Sequence, residues 1–93
     1  RMANEWITQF PVMERRLAEA RTASVVQAVL DWFWERIDAA RRAFGGDHDL
    51  PKAMETDVQE AVERHPRAMS LVEQDNKPAP EAKPSGWGGP SGP

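Results

Sequence analysis

The large apolar residues of this chain recur at helical spacing. Val26, Leu30, Phe33, Ile37, Ala40 and Phe44 step by four and three, which places them on one side of a helix turning about 100° per residue. Met13, Leu17 and Ala20 form a shorter stripe of the same kind. The two stripes do not join in phase, and Arg21-Thr22-Ala23-Ser24 lies between them. Residues 9–44 therefore read as one long helix or as two helices meeting near Thr22, with the break the preferred reading. Thr8 is the expected cap of this stretch. Pro11 then falls in the first turn, where its missing amide would have no partner anyway. Ser24 followed three residues on by Gln27 has the form of a capping box for a second helix. Gly45-Gly46 ends the pattern.

Beyond that turn, Leu50-Pro51 opens another helix whose apolar face is Met54, Val58, Ala61, Val62 and His65. Pro66 lacks the amide a helix interior needs and disfavours helical geometry at His65. The stripe nevertheless continues in register through Met69 and Val72. The helix thus either kinks at Pro66 or ends there, with a short new helix following. Asp38 with Arg42 and Glu60 with Arg64 stand at the four-residue spacing of surface ion pairs.

From Asn76 the pattern changes to NKPAPEAKPSGWGGPSGP, which holds five of the eight prolines and four of the six glycines. Such a segment buries too little apolar surface to offset its ordering entropy. The expected fold is all-α: a small helical bundle or helical hairpin of two to four helices over residues 5–74, then a disordered Pro/Gly-rich C-terminal tail over 75–93.

The segment from Val25 to Ile37 is the apolar centre of the chain. With Val26 taken as zero on a helical wheel, Leu30, Phe33 and Ile37 lie within about 40° of it, and Val29 lies about 60° to one side. Val25 and Trp32 fall farther round that same side, whereas Trp34 lies about 80° round the other. The apolar arc spans about 200°, wider than the ~100° a helix needs against a single core. Either this helix is covered on both flanks within the chain, or one flank faces a second chain with Trp32 and Trp34 as anchors, tryptophan being enriched at binding hot spots. The neighbouring segments offer few bulky groups, which favours the second reading. The candidate partner-binding residues are therefore Val29, Trp32, Phe33, Trp34 and Ile37, joined by Trp87 as a short motif in the tail. Trp6 is expected to pack with Ile7 and Phe10.

Composition narrows the remaining classes. With 93 residues and no cysteine, the chain holds one small domain and neither disulfides nor thiolate metal sites. The net charge is −3, and acidic residues alternate with basic ones, so neither half has the basic excess that phosphate backbones demand. The one nucleic-acid reading is a dimeric accessory protein using Arg15, Arg16, Arg21, Arg36, Arg41 and Arg42. No activated nucleophile, paired catalytic carboxylates or phosphate-binding loop stands out. Asp47-His48-Asp49 reads as turn chemistry, with Asp49 capping the next helix, and His65 as a packed histidine; neither is taken as a metal ligand. No cofactor is implied. The longest strongly apolar run is Trp32-Phe33-Trp34, so no membrane span is expected, and RMANEWITQ lacks the features of a secretory signal. The sequence reads as a cytoplasmic, non-enzymatic interaction module: an adaptor, accessory subunit, scaffold or inhibitor that binds a protein partner or itself through an apolar helix face.

Overall fold

A computed structural model describes residues 1–76. It contains four helices and, among the described residues, no strand: α1 (Met2–Glu19), α2 (Ala23–Phe44), α3 (Asp49–Arg64) and α4 (Pro66–Asn76). The long α2 is the axis of the bundle, and the other three helices all pack against it. Its stripe supplies Val26, Val29, Phe33, Ile37 and Ala40 to the core. Trp6, Met13, Leu17 and Ala20 come from the α1 side, Met54 and Val58 from α3, and Ala68 from α4. Residues 75–93, expected as a disordered tail, lie outside the described residues from position 77 onward.

The expected break near Thr22 is present, but its cap is Thr22 and not the Ser24–Gln27 pair. Thr22 is extended (φ −132°, ψ 155°), and its hydroxyl accepts from the Val25 amide at 3.3 Å. Ser24 is already inside the first turn, and Gln27 turns outward to donate to Asp31. At the other end Gly45 has φ 95°, a conformation that side chains with a Cβ rarely adopt, and its amide reaches back to the Arg41 carbonyl at 2.7 Å. At the next start the cap is His48, whose Nδ1 accepts from the Leu50 amide at 3.1 Å, and not Asp49, which is the first helical residue.

The first helix begins much earlier than its proline suggests. α1 runs from Met2, so Pro11 is internal and not in the first turn. Trp6 and Phe10 extend the stripe of Met13 and Leu17 toward the N-terminus, and burying those rings holds the extra turns in helical form. Pro11 and Ile7 share the outer side of the helix, and both are exposed. The carbonyl that loses its hydrogen bond to the proline therefore lies where water can serve it. Ile7, at 68% exposure, is not part of the packing expected around Trp6.

Pro66 starts a new helix, resolving the alternative left at that position. His65 is the C-cap of α3 (φ −128°, ψ 63°), and Pro66 takes the first position of α4, where its missing amide has no intrahelical role.

Candidate functional site

The candidate residues on α2 separate by depth. Phe33 and Ile37 have no exposed surface, and Val29 is 2% exposed. These three, expected to face a partner, are enclosed by the chain's own helices: the bundle core claims the middle of the apolar arc and leaves only its flanks. Trp32 is half-buried on one flank. Trp34, on the other, is 41% exposed. Trp87 lies outside the described residues.

Trp32 is held in an aromatic cluster. Its ring stacks on Trp6 with centroids 5.9 Å apart and planes 10° from parallel, and it meets the edge of Phe33 at 5.9 Å. Trp6 also contacts Phe10 at 5.1 Å and Phe33 at 5.8 Å. The Trp6 indole N–H donates to Asp57 on α3 at 2.8 Å, satisfying the one polar group that burial of this ring would otherwise strand. Trp6 is thereby a core residue that ties α1, α2 and α3 together.

Outside this cluster, Trp32 borders a shallow, open depression of about 350 Å³ between α1 and α2. Met13, Arg16, Ser24, Val25, Ala28 and Val29 line it with Trp32. Val25 is 43% exposed. The periodicity of α2 placed Val25 on this flank. The contributions of Met13 and Arg16 depend on how α1 packs, which spacing along the chain does not specify.

On the opposite flank Trp34 shares the wheel with Gln27, Asp31 and Asp38, all of them exposed. A polar side chain would suit this position in a folded monomer. Instead the largest of the side chains stands there, next in sequence to a phenylalanine that is wholly enclosed.

A third cluster joins the helix ends. The Glu14 carboxylate on α1 accepts from Arg64 Nε at 2.8 Å and from His65 Nε2 at 3.0 Å, at the junction of α3 and α4. The Arg64 hydrogen bond, with help from His65, holds the Glu14 carboxyl below the usual range, against the opposing effect of partial burial. Arg67 at the start of α4 donates to the Ala18 carbonyl at 2.7 Å, near the end of α1. Neither expected four-residue ion pair is the one formed: Arg64 turns to Glu14, and Asp38 pairs with Arg41 at 3.2 Å. His65 is thus engaged by a carboxylate on another helix. Among the described residues, no group of three or more His, Cys, Asp or Glu side chains could hold a metal ion.

The six arginines of the nucleic-acid reading do not gather. Arg36 pairs with Glu5 at 3.7 Å, and Arg41 with both Asp38 and Glu55. Arg15 and Arg16 lie toward the end of α1, and Arg21 lies between α1 and α2. Arg42 lies at the far end of α2, about 30 Å away at the rise of an α-helix. No helix among the described residues is long and apolar enough to cross a membrane.

Comparison of the chain with protein-family models, with curated proteins and with solved structures returned no match.

Proposed function

We propose that this chain is a non-enzymatic helical interaction module that binds a protein partner, or a second copy of itself, through the exposed apolar surface of α2, with Trp34 as the anchor. One observation carries the reading. The core closes without Trp34: Val26, Phe33, Ile37 and Ala40 are fully enclosed, yet the neighbouring indole remains 41% exposed among polar residues. An indole supplies a large contact area and loses little side-chain entropy when it is held, and seating it in a partner's pocket removes its remaining apolar surface from water. The bundle then acts as a rigid frame that presents α2, and Thr22, Gly45 and the Glu14 cluster fix the helix ends around it.

The test is a native mass spectrum of the full chain recovered, without denaturation, from the cells that express it, beside a Trp34→Ala variant. The wild type is expected in an assembly heavier than one chain, and the variant as a folded monomer. A wild-type chain found only as a monomer, or an assembly indifferent to Trp34→Ala, contradicts the proposal.

A further inference from the structure

The exposed indole and the apolar depression lie on opposite flanks of α2, Trp34 and Trp32 being about 160° apart around the helix. One chain cannot bring them together, but two chains can. We propose that copies of this chain associate head to tail, the Trp34 ring of one seating in the depression beside Trp32 of the next. This rests on Trp34 being the anchor, as proposed above, and names what receives it.

Shape and polarity select the depression. Trp34 is 41% exposed on its own flank. The depression, about 350 Å³, has Met13, Val25, Ala28, Val29 and Trp32 in its lining. Met13 and Val29 are nearly enclosed, so Val25, Ala28 and Trp32 supply the surface that an entering indole would cover. By contrast, the hollow bordered by Asp31 and Asp75 and the one bordered by Arg21 and Arg67 are lined with charged groups. Burying an indole against apolar side chains removes both surfaces from water, and a contact between two aromatic rings adds to that gain.

Charge sets the direction of the contact. Arg16 lines the depression, is exposed, and forms no ion pair among the described residues. Asp31 and Asp38 stand three residues before and four residues after Trp34, on neighbouring turns of the same exposed side. Asp31 accepts from the neutral Gln27, and Asp38 shares Arg41 with Glu55. Both carboxylates therefore keep negative charge to offer a partner. An indole that enters the depression of the next chain carries them toward its Arg16.

A two-fold dimer fits worse on either flank. Across a two-fold axis at Trp34 the same carboxylates meet: antiparallel helices set Asp31 beside Asp38, and parallel ones set each beside its own copy. Like charges so placed oppose association. Across a two-fold axis at Trp32, two concave surfaces face each other and neither is filled. Because the flanks face opposite ways, two chains cannot satisfy both surfaces of each other. A head-to-tail pair keeps one free indole and one free depression, so assembly passes two chains and ends in a ring or an open row.

The experiment is native mass spectrometry with sedimentation of the purified full chain over a concentration series. Wild type is expected to exceed two chains per particle as concentration rises. Trp34→Ala lacks the indole. Val25→Glu blocks the depression at a position that is already exposed, and Ala28→Glu, also exposed, is a second block. Each variant alone should stay monomeric and, by circular dichroism, helical. Mixed in equal amounts, Trp34→Ala and Val25→Glu should form a heterodimer and stop there, since one keeps the depression and the other keeps the indole. Arg16→Ala should weaken assembly roughly two- to fivefold. A wild type that stops at a dimer, a mixture that stays monomeric, or assembly indifferent to both blocking variants overturns the proposal. So does a wild type that is monomeric alone yet joins a different protein through Trp34, which leaves the anchor reading standing. Assembly indifferent to Trp34→Ala removes both.

Discussion

Phe33 and Trp34 are adjacent in sequence and opposite in role, and the difference is measurable. Removing the Phe33 ring empties the centre of the bundle, where α1 and α2 place their aromatic groups together. Phe33→Ala is expected to cost about 3–5 kcal/mol, a large share of the stability of so small a domain, read as a lower urea midpoint. Trp34→Ala removes surface that the fold does not need, and its cost should stay within about 1 kcal/mol. Equal losses at the two positions would mean that Trp34 belongs to the core. Glu14 makes the third prediction at this scale. Its carboxylate is held by Arg64 and His65 in the folded chain, so its folded value lies below the ordinary 4.5. The stability it contributes is fully present above that ordinary value and is lost as pH falls through the depressed folded value. Urea midpoints for wild type and Glu14→Gln should therefore differ near about pH 7, and the gap should narrow as pH falls below 4.5. A gap that stays constant with pH contradicts the role assigned to Glu14.

At the scale of the element, each boundary of α2 rests on one residue. Thr22→Ala is expected to lose about 1 kcal/mol and Thr22→Ser to recover most of it, because the serine hydroxyl can accept the same Val25 amide. Equal loss in both variants, measured by thermal unfolding, would remove the cap from the account. Much of this level was legible in the sequence. The stripe from Val26 to Ala40 is the buried face of α2, Gly45 closes the helix, and the face of Met54, Val58 and Ala61 is buried in α3. The misplacements share a physical cause, which is that local rules compete with packing. Pro11 signals a first turn by local preference, but Trp6 and Phe10 gain enough by burial to carry α1 back to Met2. Glu60 and Asp38 offer arginines a partner one turn away, yet Arg64 finds Glu14 on another helix and Asp38 takes Arg41. The contacts that define the junctions, Trp6 with Asp57, Glu14 with Arg64 and His65, and Arg67 with Ala18, link residues about fifty positions apart. Helical periodicity says which face of each helix is buried, but not which polar groups meet across faces.

For the whole molecule, the same distinction separates what the core uses from what it leaves over. The sequence shows that the apolar arc of α2 is too wide for one core. It does not show where the excess falls, because that depends on the placement of α1 and α4. In the bundle Val29, Phe33 and Ile37 are consumed internally, and the excess resolves into two separate flanks. Trp32 lines a depression beside Val25 and Met13, and Trp34 stands exposed beside Asp31 and Asp38. Two flanks with different surroundings suit two different contacts.

The most direct test places a photo-crosslinking residue at Asp38, one turn from Trp34 on the exposed side of α2, in the full chain inside the cells that express it. The account predicts one dominant adduct, either with a second copy or with one other protein. That adduct should be lost when Trp34→Ala is added, while the thermal unfolding curve of the variant stays within a few degrees of wild type. An adduct that persists in Trp34→Ala, or no adduct in the wild-type background above that of a probe at exposed Gln59 on α3, contradicts it.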